Sequence, residues 1–105
     1  MAVKADRKRY ILFEVISNKE FTAEMMKRAV SDETVRFLGE LGASEASLRL
    51  LPEFWHKNKG VLVTNAKSVS KVKLVLALIK QIAGHQVMVK SMKVFGTLKK
   101  IKSGF

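Results

Sequence analysis

Side chains able to carry acid–base, nucleophilic or metal chemistry are few and scattered. The chain has no cysteine, which removes thiol nucleophiles, thiolate metal sites and disulfides. Its two histidines, His56 and His85, fall in separate loops with no third ligand at metal spacing, so a protein-built metal centre lacks its parts. No serine is paired by any motif with a base that would activate it. Small basic acylphosphatases place an arginine in the loop after their first strand. Here that turn reads Ser17-Asn18-Lys19-Glu20. The residues therefore point away from an enzyme acting alone and toward binding.

The charge is the strongest signal. Residues 54–105 contain no Asp or Glu and carry eleven lysines, whereas residues 1–53 hold all nine acids against nine Lys and Arg. The formal net charge of +11 thus belongs to the second half alone. One-sided cationic surface of this kind is the footprint of a protein that meets a polyanion. An anionic membrane would call for lysines along one face of a single amphipathic helix. Here they are spread over loops, strands, a helix and the tail, which favours nucleic acid and argues against a membrane partner. Lys57, Lys59, Lys67, Lys90, Lys93, Lys99, Lys100 and Lys102 are the expected phosphate contacts, joined by a smaller cluster, Arg7, Lys8 and Arg9. Such contacts position a protein on a phosphate backbone without reading sequence.

At 105 residues with 48% hydrophobic and 28% charged content, the chain has the size and composition of one folded domain. Residues 1–8 read as a flexible basic arm and residues 9–105 as a single domain ending in a basic tail. The first strand, residues 9–17, sets Ile11, Phe13 and Val15 against Tyr10, Leu12, Glu14 and Ile16, two largely apolar faces that suit a central strand. Thr22 is positioned to cap a helix whose stripe is Met26, Val30, Thr34, Phe37, Leu38 and Leu41, with Gly42 as its stop and Ser31 and Asp32 as a second candidate break. Residues 46–51 alternate as a second strand, and Pro52 places it at a sheet edge.

The turn at residues 56–60 closes a hairpin into a third strand over residues 61–64. Ser68 then caps a second helix with a stripe of Val69, Val72, Val75, Leu76, Ile79, Ile82 and Ala83, ended by Gly84. A last strand covers residues 86–94. The order β-α-β-β-α-β predicts an α+β, ferredoxin-like sandwich resembling RNA-recognition modules, an antiparallel sheet with both helices on one face. Topology alone assigns no function.

Three further positions carry alternatives. With the helical stripe facing the sheet, Leu78 falls on the flank of the second helix and Leu74 nearly opposite, which offers a protein interface or simple exposure. Strand parity sends Phe54 inward and Trp55 outward beside Lys57 and Lys59, where Trp55 would stack on a base, anchor a protein partner, or pack over the sheet edge. The third strand, Lys59-Gly60-Val61-Leu62-Val63-Thr64-Asn65, has no aromatic residue, so the sheet reads as structural rather than as a base-stacking platform.

Several stretches resemble one family: Arg9-Tyr10-Ile11-Leu12-Phe13-Glu14-Val15, Leu41-Gly42-Ala43-Ser44, Gly60 before the third strand, Leu76-Ala77-Leu78-Ile79 with Ile82-Ala83-Gly84, and the closing Gly96-Thr97-Leu98-Lys99. Together they are similar to protein component 2 of archaeal ribonuclease P, a family shared with a eukaryotic subunit of ribonucleases P and MRP. Two departures stand out, Val63 and Ala66 where that family often has Arg and His, and Phe95 where it usually has Ser. The resemblance implies an RNA-bound subunit of the endoribonuclease that removes the 5′ leader of precursor tRNA. It implies that the chemistry belongs to the RNA and its Mg²⁺ ions, that the protein binds no cofactor of its own, and that precursor tRNA is met only indirectly. It also implies a protein partner, the barrel-fold component 3, often in a dimer of heterodimers, for which Leu74 and Leu78 are candidate contacts.

Without the resemblance, two other readings stay open: a general RNA-binding or ribosome-associated module, and a small-ligand regulatory domain of the same topology. The first residues do not form a signal peptide and the longest apolar run, residues 74–79, is too short to span a bilayer, so a cytoplasmic protein is expected.

Overall fold

The computed structural model of the chain describes residues 7–97. Its strands, in chain order, are β1 (Lys8–Ile16), β2 (Arg49–Leu50), β3 (Lys59–Asn65), β4 (Gln81–Ile82), β5 (His85–Gln86) and β6 (Met88–Phe95). Strand β1 lies inside a four-stranded sheet of order β2-β3-β1-β6. All three pairings are antiparallel. The doubly apolar pattern of β1 is the reason for its place: Ile11, Phe13 and Val15 are buried on one face, and Tyr10 and Leu12 are half-buried on the other.

Both helices, α1 (Ala23–Ala46) and α2 (Val69–Leu78), cover the first of these faces. Met26 and Val30 of α1 and Val72 and Leu76 of α2 join Ile11, Phe13, Val15, Leu62 and Val89 in the main core. On the opposite face Leu51, Val61 and Val63 are buried with Tyr10, Leu12, Phe54 and Phe95 packed around them. The ferredoxin-like sandwich is therefore present, its sheet apolar on both sides. Among the described residues no helix is long and apolar enough to cross a membrane.

Several local expectations are corrected. Strand β1 takes in Lys8, one residue of the expected arm. Thr22 caps α1 through an N–H from Met25 at 3.2 Å, but the helix neither breaks at Ser31 and Asp32 nor stops at Gly42. It breaks at Gly39 (φ 77°, ψ 172°) and resumes to Ala46, because glycine enters that region without a Cβ penalty whereas Ser31 and Asp32 stay within the helix. The break turns the later stripe away from the core, leaving Leu41 75% exposed, and Phe37, 47% exposed, faces a groove beside Leu78 and Gln81 instead.

The second strand is cut to two residues because Pro52 starts a 3-10 turn, Pro52–Phe54. Asn65, not Ser68, caps the next segment: its Oδ1 accepts the Ser68 N–H at 3.0 Å, and the Ser68 side chain caps nothing. Helix α2 ends at Leu78, six residues short of Gly84. Residues 79–87 form instead a small hairpin of β4 and β5, turned by Ala83 (φ 51°) and Gly84 (φ 83°). Ile79 and Ile82 remain buried, while Ala83 sits exposed in the turn. The last strand accordingly starts at Met88 rather than at residue 86.

Candidate nucleic-acid interface

Lysine side chains act through where the backbone holds them, and the β3 hairpin holds its lysines tightly. His56 and Lys59 exchange both backbone hydrogen bonds at 2.9 Å, leaving Lys57 (φ 47°) and Asn58 (φ 62°) as a two-residue turn. Left-handed backbone at both central positions matches the twist of paired strands. Asn58 is buried and bonded on all sides. Its Oδ1 accepts the Phe21 N–H at 2.9 Å, its Nδ2 donates to the Lys19 carbonyl at 2.8 Å, and its own carbonyl accepts the Val15 N–H at 2.7 Å. One asparagine thus ties the turn carrying Lys57 and Lys59 to the loop carrying Lys19, all three lysines being exposed. Lys19 is absent from the expected contacts, because nothing in the linear sequence joins it to a turn so far along the chain.

Trp55 corrects the strand-parity argument. The 3-10 turn ahead of it resets the alternation, so the indole packs against the main core, 6.0 Å from the Phe13 ring, and its Nε1 donates to the Phe21 carbonyl at 2.8 Å. Phe54 goes to the opposite face with Leu51, Val61 and Val63. Trp55 is half-buried and its polar atom is bonded within the fold, so the ring is held in place with part of its surface still exposed.

Across the sheet, Glu14 has Lys59 of β3 and Lys90 of β6 as its two register partners, so one acid stands between two lysines on the face away from the helices. Lys93 lies opposite Leu12, with its Nζ 5.6 Å from the centroid of the Phe95 ring, and Phe95 itself lies opposite Tyr10. The far end of β1 gathers a second set. The Ala66 N–H donates to the Arg7 carbonyl at 2.7 Å, which brings exposed Lys67 beside Arg7, Lys8 and Arg9. The two clusters that the sequence separates by nearly sixty positions, Arg7 to Arg9 and Lys67, are one. Lys99, Lys100 and Lys102 lie outside the described residues.

On the helical side, Leu74 is 49% exposed and Leu78 half-buried, with Phe37 across the groove from Leu78. His56 and His85 both lie at the surface, and His85 stands 6.2 Å from the Phe21 ring. Among the described residues no group of three or more His, Asp or Glu is placed to hold a metal ion.

Residues 9–105 match the Rpp14/Pop5 family. "Ribonuclease P protein component 2" of Pyrococcus furiosus is 34% identical over 95% of this chain and 83% of its own length. The protein of the same name from Archaeoglobus fulgidus is 31% identical over 91% of this chain and 85% of its own. A chain in the cryo-EM structure of yeast ribonuclease MRP superposes with a TM-score of 0.72, covering 98% of this chain and 94% of that one at 9% identity, a likeness of fold. Matched along nearly its whole length, the chain belongs to the Rpp14/Pop5 family, a family of ribonuclease P and MRP protein subunits.

Proposed function

We propose that this chain binds and stabilises the catalytic RNA of a ribonuclease P that removes the 5′ leader of precursor tRNA. Family membership combined with a +11 chain whose described lysines are largely exposed is the observation that carries this reading. The RNA and its Mg²⁺ ions supply the chemistry. The protein supplies phosphate neutralisation from fixed positions, which lets RNA helices approach one another with fewer free cations. Precursor tRNA is met through the RNA.

A protein partner, component 3 of the same enzyme in a dimer of heterodimers, docks on the helical side, where Leu74, Leu78 and Phe37 offer apolar area outside the core. Protein of this kind works in the cytoplasm, where precursor tRNA is made in an archaeal cell. The test is reconstitution: ribonuclease P RNA and its other protein components, with and without this chain, cleaving precursor tRNA over a range of Mg²⁺ concentrations. Adding the chain lowers the Mg²⁺ needed for half-maximal cleavage. An unchanged Mg²⁺ dependence contradicts the proposal.

A further inference from the structure

Strand register lays out the open face of the sheet, the one turned away from the helices. Tyr10 of β1 and Phe95 of β6 are directly opposed, so their side chains start about 5 Å apart. Tyr10 also pairs with Val63, and Val63 with Arg49, so one cross-strand row runs from exposed Arg49 through Val63 and Tyr10 to Phe95. In the next row Val61 of β3 faces Leu12, and Leu12 faces exposed Lys93, whose Nζ stands 5.6 Å from the centroid of the Phe95 ring. Glu14, the acid of β1, comes one row further on, between Lys59 and Lys90.

Val61 and Val63 are buried beneath this face, whereas Tyr10 and Phe95 are half-buried and leave ring surface to water. Arg49 on β2 and Lys93 on β6 flank the rings from the two edge strands of the sheet. Bases of a single strand stack on rings of this kind while the phosphates meet cations beside them, whereas bases inside a duplex are already stacked on one another. A contact between an exposed ammonium and a ring is weak, so an incoming base displaces Lys93 from Phe95 to the adjoining phosphate. Strand β3 brings no aromatic residue to the face, and β6 supplies the second ring instead, through a register that no spacing in the sequence reveals. We propose that the open face binds single-stranded RNA, with two unpaired bases stacked on Tyr10 and Phe95 and the neighbouring phosphates on Arg49 and Lys93. The inference rests on the RNA-binding reading above and deepens it, from phosphate neutralisation to the capture of an unpaired segment.

The test uses the full chain and two RNAs of equal length, an unstructured single strand carrying 5-iodouridine at its centre and a duplex. Under ultraviolet light iodouridine cross-links to a ring on which it stacks. In the wild-type chain the cross-links are expected at Tyr10 or Phe95, mapped by mass spectrometry of the digested complex. Tyr10→Leu with Phe95→Leu keeps apolar cover over Val61 and Val63 but removes both rings. This double variant is expected to bind the single strand at least about fivefold more weakly. Its duplex affinity stays within about twofold of wild type and its salt slope is unchanged, because no charge is lost. Lys93→Gln instead lowers the single-strand salt slope by about 0.7. Circular dichroism verifies the fold of each variant, and should the double variant fail to fold, the wild-type cross-link map decides alone.

Three results overturn the inference and leave RNA binding itself standing. Wild-type cross-links that map to neither ring place the bases elsewhere on the chain. Full single-strand affinity in the folded double variant makes the two rings a second small core or a seat for a protein. An equal loss for single strand and duplex means a disturbed phosphate contact rather than stacking. A wild-type chain that binds neither RNA overturns the proposed function along with the stacking site.

Discussion

Trp55 lies directly over Gly60: a Cβ added at Gly60 would come within 2.7 Å of the indole Cε3 and 3.2 Å of the Phe13 ring. The crowding explains why glycine stands near the start of β3, in the residue that pairs with Phe13 of the central strand. The indole is also anchored by its Nε1 bond to Phe21, so it cannot swing away without giving up a hydrogen bond. Gly60→Ala is expected to destabilise the fold by about 1–3 kcal/mol, as overpacking does. Trp55 is the only tryptophan, so denaturant unfolding followed by its fluorescence measures the change, and an unshifted midpoint would contradict the packing.

Asn58 supplies both left-handed backbone and two side-chain hydrogen bonds to the Lys19–Phe21 loop. Asn58→Gly keeps the backbone and removes the bonds, which strands the buried Phe21 N–H and destabilises by about 1–3 kcal/mol. Asn58→Ala adds the Cβ strain of the left-handed region, about 1 kcal/mol more. Equal stability of the two variants, read by thermal unfolding, would place the role of Asn58 elsewhere.

Gly39 interrupts α1 at φ 77° and ψ 172°, in open space with nothing within 4 Å of a built Cβ. The penalty for Gly39→Ala is therefore conformational, about 1–3 kcal/mol for a region that side chains avoid. Gly96, equally uncrowded and without a positive φ, is the internal control: Gly96→Ala leaves the melting temperature within error of wild type.

How much of this is legible in the sequence differs between backbone and site. The two-sided apolarity of β1, the Thr22 cap and the edge position of β2 all follow from residue pattern, and all are found. The misses share one cause, local backbone geometry overriding periodicity. Gly39 breaks a helix that the stripe carries on to Leu41. Ala83 and Gly84 turn a hairpin where Ile79 and Ile82 keep a helical spacing, because both isoleucines are buried from extended backbone as well. The Pro52 turn reverses Phe54 and Trp55. At the candidate interface the lysine block is plain in the sequence, but the neighbours its residues meet in the fold are not. The bonds that join Arg7 to Ala66, and Lys19 to Asn58, are long-range hydrogen bonds that no spacing encodes.

Leu74 and Leu76 sit two positions apart on α2, one 49% exposed and the other fully buried. Leu76→Asp places a charge in the core and is expected to prevent folding. Leu74→Asp leaves circular dichroism and melting unchanged while weakening co-elution with the partner protein at least tenfold. A Leu74→Asp variant that co-elutes normally would move the protein interface off this face.

Neutralising Lys99, Lys100 and Lys102 together is expected to lower affinity for every RNA alike. It should reduce the slope of log affinity against log salt by about 2 to 3, close to one unit for each phosphate that no longer meets a cation. A weakening confined to one RNA sequence would mean base reading rather than phosphate neutralisation.

The most direct measurement is to purify the tagged chain from its native cell and sequence the RNA that travels with it. The account predicts enrichment of one structured RNA, the ribonuclease P RNA, with precursor-tRNA cleavage in the same fraction. A population dominated by ribosomal RNA, or no RNA at all, would contradict it.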